Sequence, residues 1–460
     1  MRISFLREVR EAISITKRGS MTFTLRPEQL EAVDALAAKR SGLLLADTGA
    51  GKTAVALELV KRMTDVERWL IVAPRLVLYN AYEDVHLKIP RFKFDYAIVH
   101  KGKWRDVLAE DHHVYLTTTD LIRSMEPDDL EGVGGLIVDE VHRFRNYASQ
   151  RTKHLLNSIS KDIPVRYGMT GTPATEGLEG LWAQTYLVDR GRTLGRFISH
   201  YRTKYFYRGG YQGYEYIPKT NALENITAAM APSTFRMEVN SDEPIKNAIP
   251  VELPPKVIDL YKRAKRKLKI EWEGAEKLVG EAAKVYGTLR QLPAGSFYGD
   301  NKEWEPLHTA KLDALEDLHE ELQGKKLLCF YWFNFEKEMI KTHFKKKKIG
   351  FLDSDTKEGD VSRIIAKWAR GDYRYLFCQP ASTGIGIDGL QDGARHIAWL
   401  TLPDSLGLYE QANGRVVGKR AEGVITVHHL LAQNSIDEII YDRLQQKSVN
   451  QKTILKELTK

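Results

Sequence analysis

Five consecutive residues, Gly49-Ala50-Gly51-Lys52-Thr53, combine a tightly turning backbone with an ammonium and a hydroxyl. Glycines at 49 and 51 permit a turn whose N–H groups approach phosphate oxygens closely. Lys52 has the reach for β- and γ-phosphates, and Thr53 has a hydroxyl for Mg2+. The strict phosphate-loop pattern asks for glycine at position 46, where this chain has alanine. A second cluster, Asp139-Glu140, ends the apolar run Gly135-Leu136-Ile137-Val138. Charge entering a buried strand needs a partner. One carboxylate there can hold Mg2+ through water while its neighbour polarises the attacking water. Together the two clusters specify hydrolysis of a nucleoside triphosphate.

Two further clusters lie in the second half. Tyr409-Glu410-Gln411-Ala412-Asn413-Gly414-Arg415 ends in a guanidinium, and Lys419 and Arg420 follow. An arginine placed across a cleft stabilises charge on a transferring phosphoryl group. Pro380-Ala381-Ser382-Thr383-Gly384-Ile385-Gly386-Ile387-Asp388 offers two hydroxyls that can donate to a nucleic-acid phosphate. Gly384 and Gly386 permit close approach, and Asp388 can fix the loop. A plain strand-to-helix turn is the other reading of this stretch.

Positioning these groups requires a regular scaffold. In the first half, GLLLAD, WLIVAP, YAIVH, HVYLTTT, GLIVDE and VRYGMTG are short runs rich in apolar or β-branched residues. Amphipathic stretches such as TAVALELVKRM separate them. This alternation predicts a parallel sheet with helices on both faces. In the second half KKLLCFYWF, KIGFLD, YRYLFC, RHIAWLTL and GVITVHHLL read as strands, again with helices between. They predict a second α/β lobe without its own phosphate loop.

The ordered motifs resemble those of superfamily 2 helicases and translocases. ADTGAGKT (46–53), DEVH (139–142) and MTGTP (169–173) are similar to motifs I, II and III. LRPEQ (25–29) resembles the upstream segment whose glutamine contacts adenine. DEVHRFRN, TGTP followed by LEGLW, YEQANGR and SIDEIIYDRL resemble the SNF2 branch in a compact form like that of phages and prophages. The resemblance runs from about residue 25 to 447. It implies two RecA-like parallel-sheet lobes with a helical and aromatic insertion and a linker between them. It also implies ATP and Mg2+ as cofactors. Gln29 then reads adenine, and Thr48, Gly49, Ala50, Gly51, Lys52 and Thr53 hold the phosphates. Thr53 and Asp139 hold the metal. Lys52, Asp139, Glu140, Arg415 and Arg420 are catalytic, and Thr170, Thr172, Asp388 and Gln411 couple the nucleotide to the nucleic acid. Pro74, Arg75, Thr117, Thr118, Thr119, Ser382, Thr383 and Gly384 contact the nucleic acid, although Thr117–Thr119 equally read as an ordinary strand end. The family's motif VI carries a second arginine three residues after the first; here that position is Gly418.

The expected division is an N-terminal extension over 1–20, a first lobe over 21–196 and an insertion over 197–245. A helical linker over 246–305, a second lobe over 306–447 and a tail helix over 448–460 follow. The insertion alternates aromatic and basic residues at 197–216, which suits either nucleic-acid contact or core packing.

Composition sets outer bounds. The chain of 460 residues is long enough for two or three domains. Its net charge of +8 suits a polyanionic partner. Cys329 and Cys378 sit in apolar runs and read as buried thiols of a reducing compartment. No apolar run approaches the ~18 residues that span a membrane, and the N-terminus lacks a continuous apolar core. The reading is a monomeric, cytoplasmic DNA-dependent ATPase, of bacterial or phage-infected cells, that translocates mainly on duplex DNA. A strand-separating helicase on DNA or RNA, and a nucleic-acid scaffold with impaired turnover, are the alternatives.

Overall fold

The computed structural model describes residues 24–47, 49–83, 89–100, 102–174, 177–209, 215–237, 243–272, 279–299, 301–383, 389–416 and 424–457. The extension at 1–20 lies outside them. Two parallel sheets organise the chain, as the alternating pattern predicts. The first has seven strands in the order β3-β4-β2-β5-β6-β1-β9. These are β1 Ser41–Ala46, β2 Arg68–Ala73, β3 Tyr96–Ile98, β4 Val114–Thr118, β5 Val133–Asp139, β6 Val165–Thr170 and β9 Thr234–Met237. The second has six, in the order β10-β15-β14-β11-β13-β12. They are β10 Ile245–Val251, β11 Leu327–Phe330, β12 Ile349–Leu352, β13 Tyr375–Cys378, β14 His396–Trp399 and β15 Thr426–Ala432.

Both sheets are buried on both faces, which is why their strands are near-continuous apolar runs. Alternate residues of one strand feed opposite cores. Leu43 packs with Leu70, Val72 and Val138 on one side of the first sheet. Leu44 packs with Trp69, Ile71 and Ile137 on the other. In the second sheet Leu328, Phe330 and Cys378 face one core, and Leu327, Cys329 and Phe377 face the other.

Strand order brings the motifs together. β6 lies between β5 and β1, with Asp139 opposite Met169 and Leu45 opposite Thr170. The carboxyl ends of these three strands therefore share one edge, where ligands of parallel α/β sheets bind. Helix α1, Pro27–Lys39, precedes β1, and α2, Lys52–Arg62, follows the glycine turn. Helix α3, Leu181–Asp189, follows β6.

The connection between the lobes differs from the expected linker. Ile245–Val251 is an edge strand paired with β15, so the segment opens inside the second sheet. β10 was invisible to pattern because its outward residues, Lys246 and Asn247 among them, are exposed and it carries Pro250 on a sheet edge. The helices beyond it, α4 Pro255–Trp272 and α5 Val279–Gln291, bury Tyr261 and Leu289 in the second core. They are part of that lobe. The aromatic insertion splits between both of its readings. Helix α6, Ile198–Tyr205, buries Tyr201 and Tyr205 in the first core. An antiparallel hairpin follows, β7 Phe206–Gly209 and β8 Glu215–Pro218. Phe206 is buried, and Tyr207 is 60% exposed.

Candidate active site between the lobes

The glycine turn leaves β1 at Ala46. Gly49 and Gly51 both adopt left-handed backbone, with φ of 81° and 82°. Glycine does this without the Cβ clash that other residues meet. Gly51 caps the N-terminus of α2, whose first N–H groups lack intrahelical partners. Lys52 Nζ donates to the carbonyls of Ala46 at 3.1 Å and Asp47 at 3.5 Å. Thr53 is half-buried in the first turn of α2. Thr48 lies outside the described residues.

Gln29 is 5% exposed, and its amide serves the turn itself. Nε2 donates to Ala50 O at 3.1 Å and Gly51 O at 3.4 Å, and Oε1 accepts from Arg26 N at 2.9 Å. Arg26 also donates to Ala50 O through its guanidinium. A primary amide has two N–H donors, and both are engaged. In this arrangement Gln29 braces the phosphate loop and has no donor left for a purine base, contrary to the adenine contact that the resemblance implies.

Asp139 ends β5 with 2% exposure. Its Oδ1 accepts from Glu140 N at 2.8 Å, and its Oδ2 accepts from the Tyr82 hydroxyl at 3.1 Å. Burial, then repulsion from Glu140, push its carboxyl up to about 6. Glu140 sits in left-handed backbone at φ 52°, a strained conformation for a residue with a Cβ. Burial also pushes Glu140 up. The charges of Lys52, His142 and Arg415 more than offset this and hold it down at about 2. Of the pair, Glu140 is the ionised member.

His142 ties the acidic pair to the end of β6. Its Nδ1 lies 2.9 Å from Thr170 Oγ1, 3.4 Å from Thr172 Oγ1 and 3.2 Å from Glu140 Oε2. The Glu140 contact lacks hydrogen-bond geometry, so Oε2 is a buried oxygen with no hydrogen bond among the described residues. Thr172 N donates to Thr170 Oγ1 at 3.1 Å, closing the network.

The second lobe completes the cleft. Helix α7, Leu406–Asn413, begins at Ser405, whose hydroxyl accepts from Leu408 N at 3.4 Å. Arg415 follows the helix and reaches Glu140 electrostatically from the opposite lobe. The adjacent Gly414 O lies 4.0 Å from where a Cβ on Gly49 would stand, so the two turns meet. A cavity of about 360 Å3 separates the lobes. Pro74, Glu140, His142 and Arg143 line it from one side; Ala381, Ser405 and Gln411 line it from the other.

The expected nucleic-acid residues fare unevenly. Pro74 faces the cleft and Arg75 is exposed beside it. Thr117 and Thr119 are buried, at 0% and 1%, and Thr118 Oγ1 accepts from Leu121 N at 3.3 Å. This row packs inside the lobe and does not form a phosphate-facing surface, because β4 is covered on both sides. Residues 380–383 form one helical turn beside the cleft, while the side chains of Ser382 and Thr383 lie outside the description, as do Gly384, Asp388 and Arg420. Tyr82 was not anticipated. It stands 57 positions from Asp139 in a π-helical turn, Leu78–Glu83, and nothing in its neighbourhood marks it.

Known proteins fit this geometry. Residues 22–175 match the family described as type III restriction enzyme, res subunit. Protein p41 of Acyrthosiphon pisum secondary endosymbiont phage 1 is 28% identical over 462 residues, covering 94% of this chain and 98% of that protein. Helicase swr1 of Schizosaccharomyces pombe is 27% identical over 161 residues, 32% of this chain and 12% of that protein. The chain thus spans nearly all of the phage relative and about a tenth of the yeast one. A solved Sulfolobus solfataricus SWI2/SNF2 ATPase core in complex with dsDNA aligns at a TM-score of 0.45 and 19% identity, covering 96% of each chain. Motifs, sheets and sequence relatives identify the chain as an SNF2-like member of the superfamily 2 helicases and translocases, and so as an ATP hydrolase of the nucleic-acid-dependent class.

Proposed function

We propose that this ATPase is stimulated by DNA and converts hydrolysis into translocation along duplex DNA. The observation that carries the reading is convergence of Lys52 and Arg415, one from each lobe, on buried Glu140. A triphosphate entering between them meets cations on both sides.

The residues present fit the nucleotide. Left-handed Gly49 and Gly51 and the start of α2 offer N–H donors. Lys52 rests on two carbonyl oxygens, which anionic phosphate oxygens outcompete. The donor set also fits Mg2+, a hard cation that takes oxygen ligands. Thr53 and Asp139 supply them, and the unbonded Oε2 of Glu140 is a further buried oxygen beside them. When bound, Mg2+ neutralises charge on the β- and γ-phosphates. Glu140, ionised, orients the attacking water and accepts its hydrogen bond. Arg415 stabilises the charge that develops on the transferring phosphoryl group, and Arg420 is the second candidate for that role. His142, Thr170 and Thr172 carry the state of the acidic pair to the chain leaving β6, and Gln411 and Asp388 relate the second lobe to the nucleic acid.

A DNA partner is supported by the net charge of +8 and by the exposed Arg75 beside the cleft. The names helicase and restriction enzyme among the matches agree with it. Among the described residues no helix is long and apolar enough to cross a membrane. A monomer in the cytoplasm of a bacterial or phage-infected cell belongs to the same proposal, supported by the phage relative.

The test is ATP turnover measured side by side without nucleic acid and with single-stranded DNA, duplex DNA and RNA. The expected result is strongest stimulation by duplex, abolished in Lys52→Ala. Displacement of a third strand from a triplex, without separation of the duplex, is expected alongside. Turnover indifferent to every nucleic acid, or unwinding of a forked duplex, refutes the proposal.

A further inference from the structure

We propose that the outer face of the β7–β8 hairpin grips the sugar–phosphate wall of duplex DNA, an inference that rests on the reading of the chain as a DNA motor. The hairpin has two unlike faces. Inward, Phe206 is buried and meets Tyr216 edge-on at 6.4 Å, and the Arg202 guanidinium lies 4.4 Å over the Tyr216 ring. Outward, Tyr207 and Ile217 pair directly across the strands and are 60% and 50% exposed. An aromatic paired with a branched aliphatic on an exposed strand face marks an interaction surface.

The charge around this pair selects the partner. Residues 196–219 hold five arginines and lysines against one carboxylate, Glu215. Arg202 is matched by Glu179. Lys219 bonds Thr203 O at 2.6 Å and lies 5.3 Å over the Tyr207 ring. Lys204 and Arg208 are exposed, with no ion pair among the described residues. A protein partner would have to bring carboxylates to these cations, whereas a polyanion brings its own charge. Lys219 covers one face of Tyr207, so the ring cannot be sandwiched between unstacked bases; its edge and Ile217 suit the apolar surface of deoxyribose.

Position supplies an independent argument. Tyr201 donates its hydroxyl to Leu178 O at 2.7 Å, and Arg202 Nε donates to Glu179 at 2.8 Å. Residues 178–180 follow closely on Thr170–Pro173. Gly180 fits against Arg145, which lines the interlobe cleft, so closely that a Cβ would stand 2.8 Å from Arg145 Cβ. The hairpin is therefore mounted on the same edge of the first sheet as the cleft. Contacts of this kind fix position without reading sequence.

The experiment uses the full chain and a labelled duplex of mixed sequence, with anisotropy followed over a range of KCl. Lys204→Ala/Arg208→Ala is expected to flatten the plot of log K against log salt by about 1.8, at ~0.9 per lost phosphate contact. Tyr207→Ala/Ile217→Ala is expected to weaken duplex binding about tenfold with an unchanged slope. Both variants keep the DNA-free ATPase rate and the thermal midpoint, because the side chains are exposed. Duplex affinity and slope equal to the parent's overturn the proposal, and so does a loss as large on single strands as on duplex. A parent protein that binds duplex but whose turnover ignores it removes the motor reading, while the binding arms still decide the hairpin.

Discussion

Replacing Gln29 by alanine separates a base-reading glutamine from one that braces the phosphate loop. The amide makes two donor bonds to the loop, to Ala50 O and Gly51 O. A net hydrogen bond contributes about 0.5–1.5 kcal/mol, and a buried carbonyl left unsatisfied costs more. Ala50 O keeps its bond from Arg26, so the loss falls mainly on Gly51 and on the order of the loop. About 1–2 kcal/mol follows, equal to a roughly 5- to 30-fold weaker hold on the triphosphate. Because the loop touches phosphates and not the base, ATP and GTP must lose affinity alike. Equilibrium titration of both nucleotides into parent and Gln29→Ala protein reads this directly. Gln29→Glu sets a carboxylate against two carbonyls and is expected to bind both worse than the alanine variant. A loss confined to ATP, with GTP binding unchanged, refutes the brace and restores adenine recognition.

Arg415→Ala is expected to lower kcat at least a hundredfold, as loss of an arginine finger does, with nucleotide affinity within about threefold of the parent; single-turnover rates and equilibrium titration together check it. His142→Ala leaves the Thr170 hydroxyl without its ring partner. The expected result is retained basal turnover with most of the DNA stimulation lost, whereas a donor-preserving His142→Asn recovers part of it. His428, on β15, is packed against His396 at 3.2 Å and is pushed down to about 4 by burial and then by that neighbour. Its folded value lies below the unfolded one, so its contribution is present above about pH 6.5 and lost as pH falls toward 4. Urea melts across that window are expected to show a decline on the order of 2 kcal/mol, which His428→Gln reduces.

The architecture was legible because buried parallel strands announce themselves as apolar runs. GLLLAD and KKLLCFYWF need no partner information to be recognised. The edge strands were not legible: β9 and β10 bury little, and their pairing is decided by the neighbouring sheet. The same distinction holds in the site. Lys52, Asp139 and Glu140 could be found because each terminates a strand whose burial the sequence shows. The hydroxyl row at Thr117–Thr119 misled because residue type suggested a polar surface where β4 is enclosed on both faces. Gln29 and Tyr82 are decided by contacts 21 and 57 positions away, and no local pattern encodes those.

The division into two lobes also explains why a nucleic acid can govern turnover. The first lobe alone holds Lys52, Thr53, Asp139 and Glu140, every candidate for phosphate and metal. It has no cation on the far side of the transferring group. Arg415 supplies that charge from the second lobe, beside a Gly414 carbonyl that reaches the Gly49 turn. Charge stabilisation of this kind depends on fixed, preorganised donors, so a few ångströms of lobe separation removes it. A ligand shifts such an equilibrium only through its differential affinity for the two arrangements. A duplex lying along the edge that carries Arg75 and the helical turn at 380–383 touches both lobes at once. It therefore favours the apposed state, and stimulation by DNA follows from the same geometry that completes the ATP site.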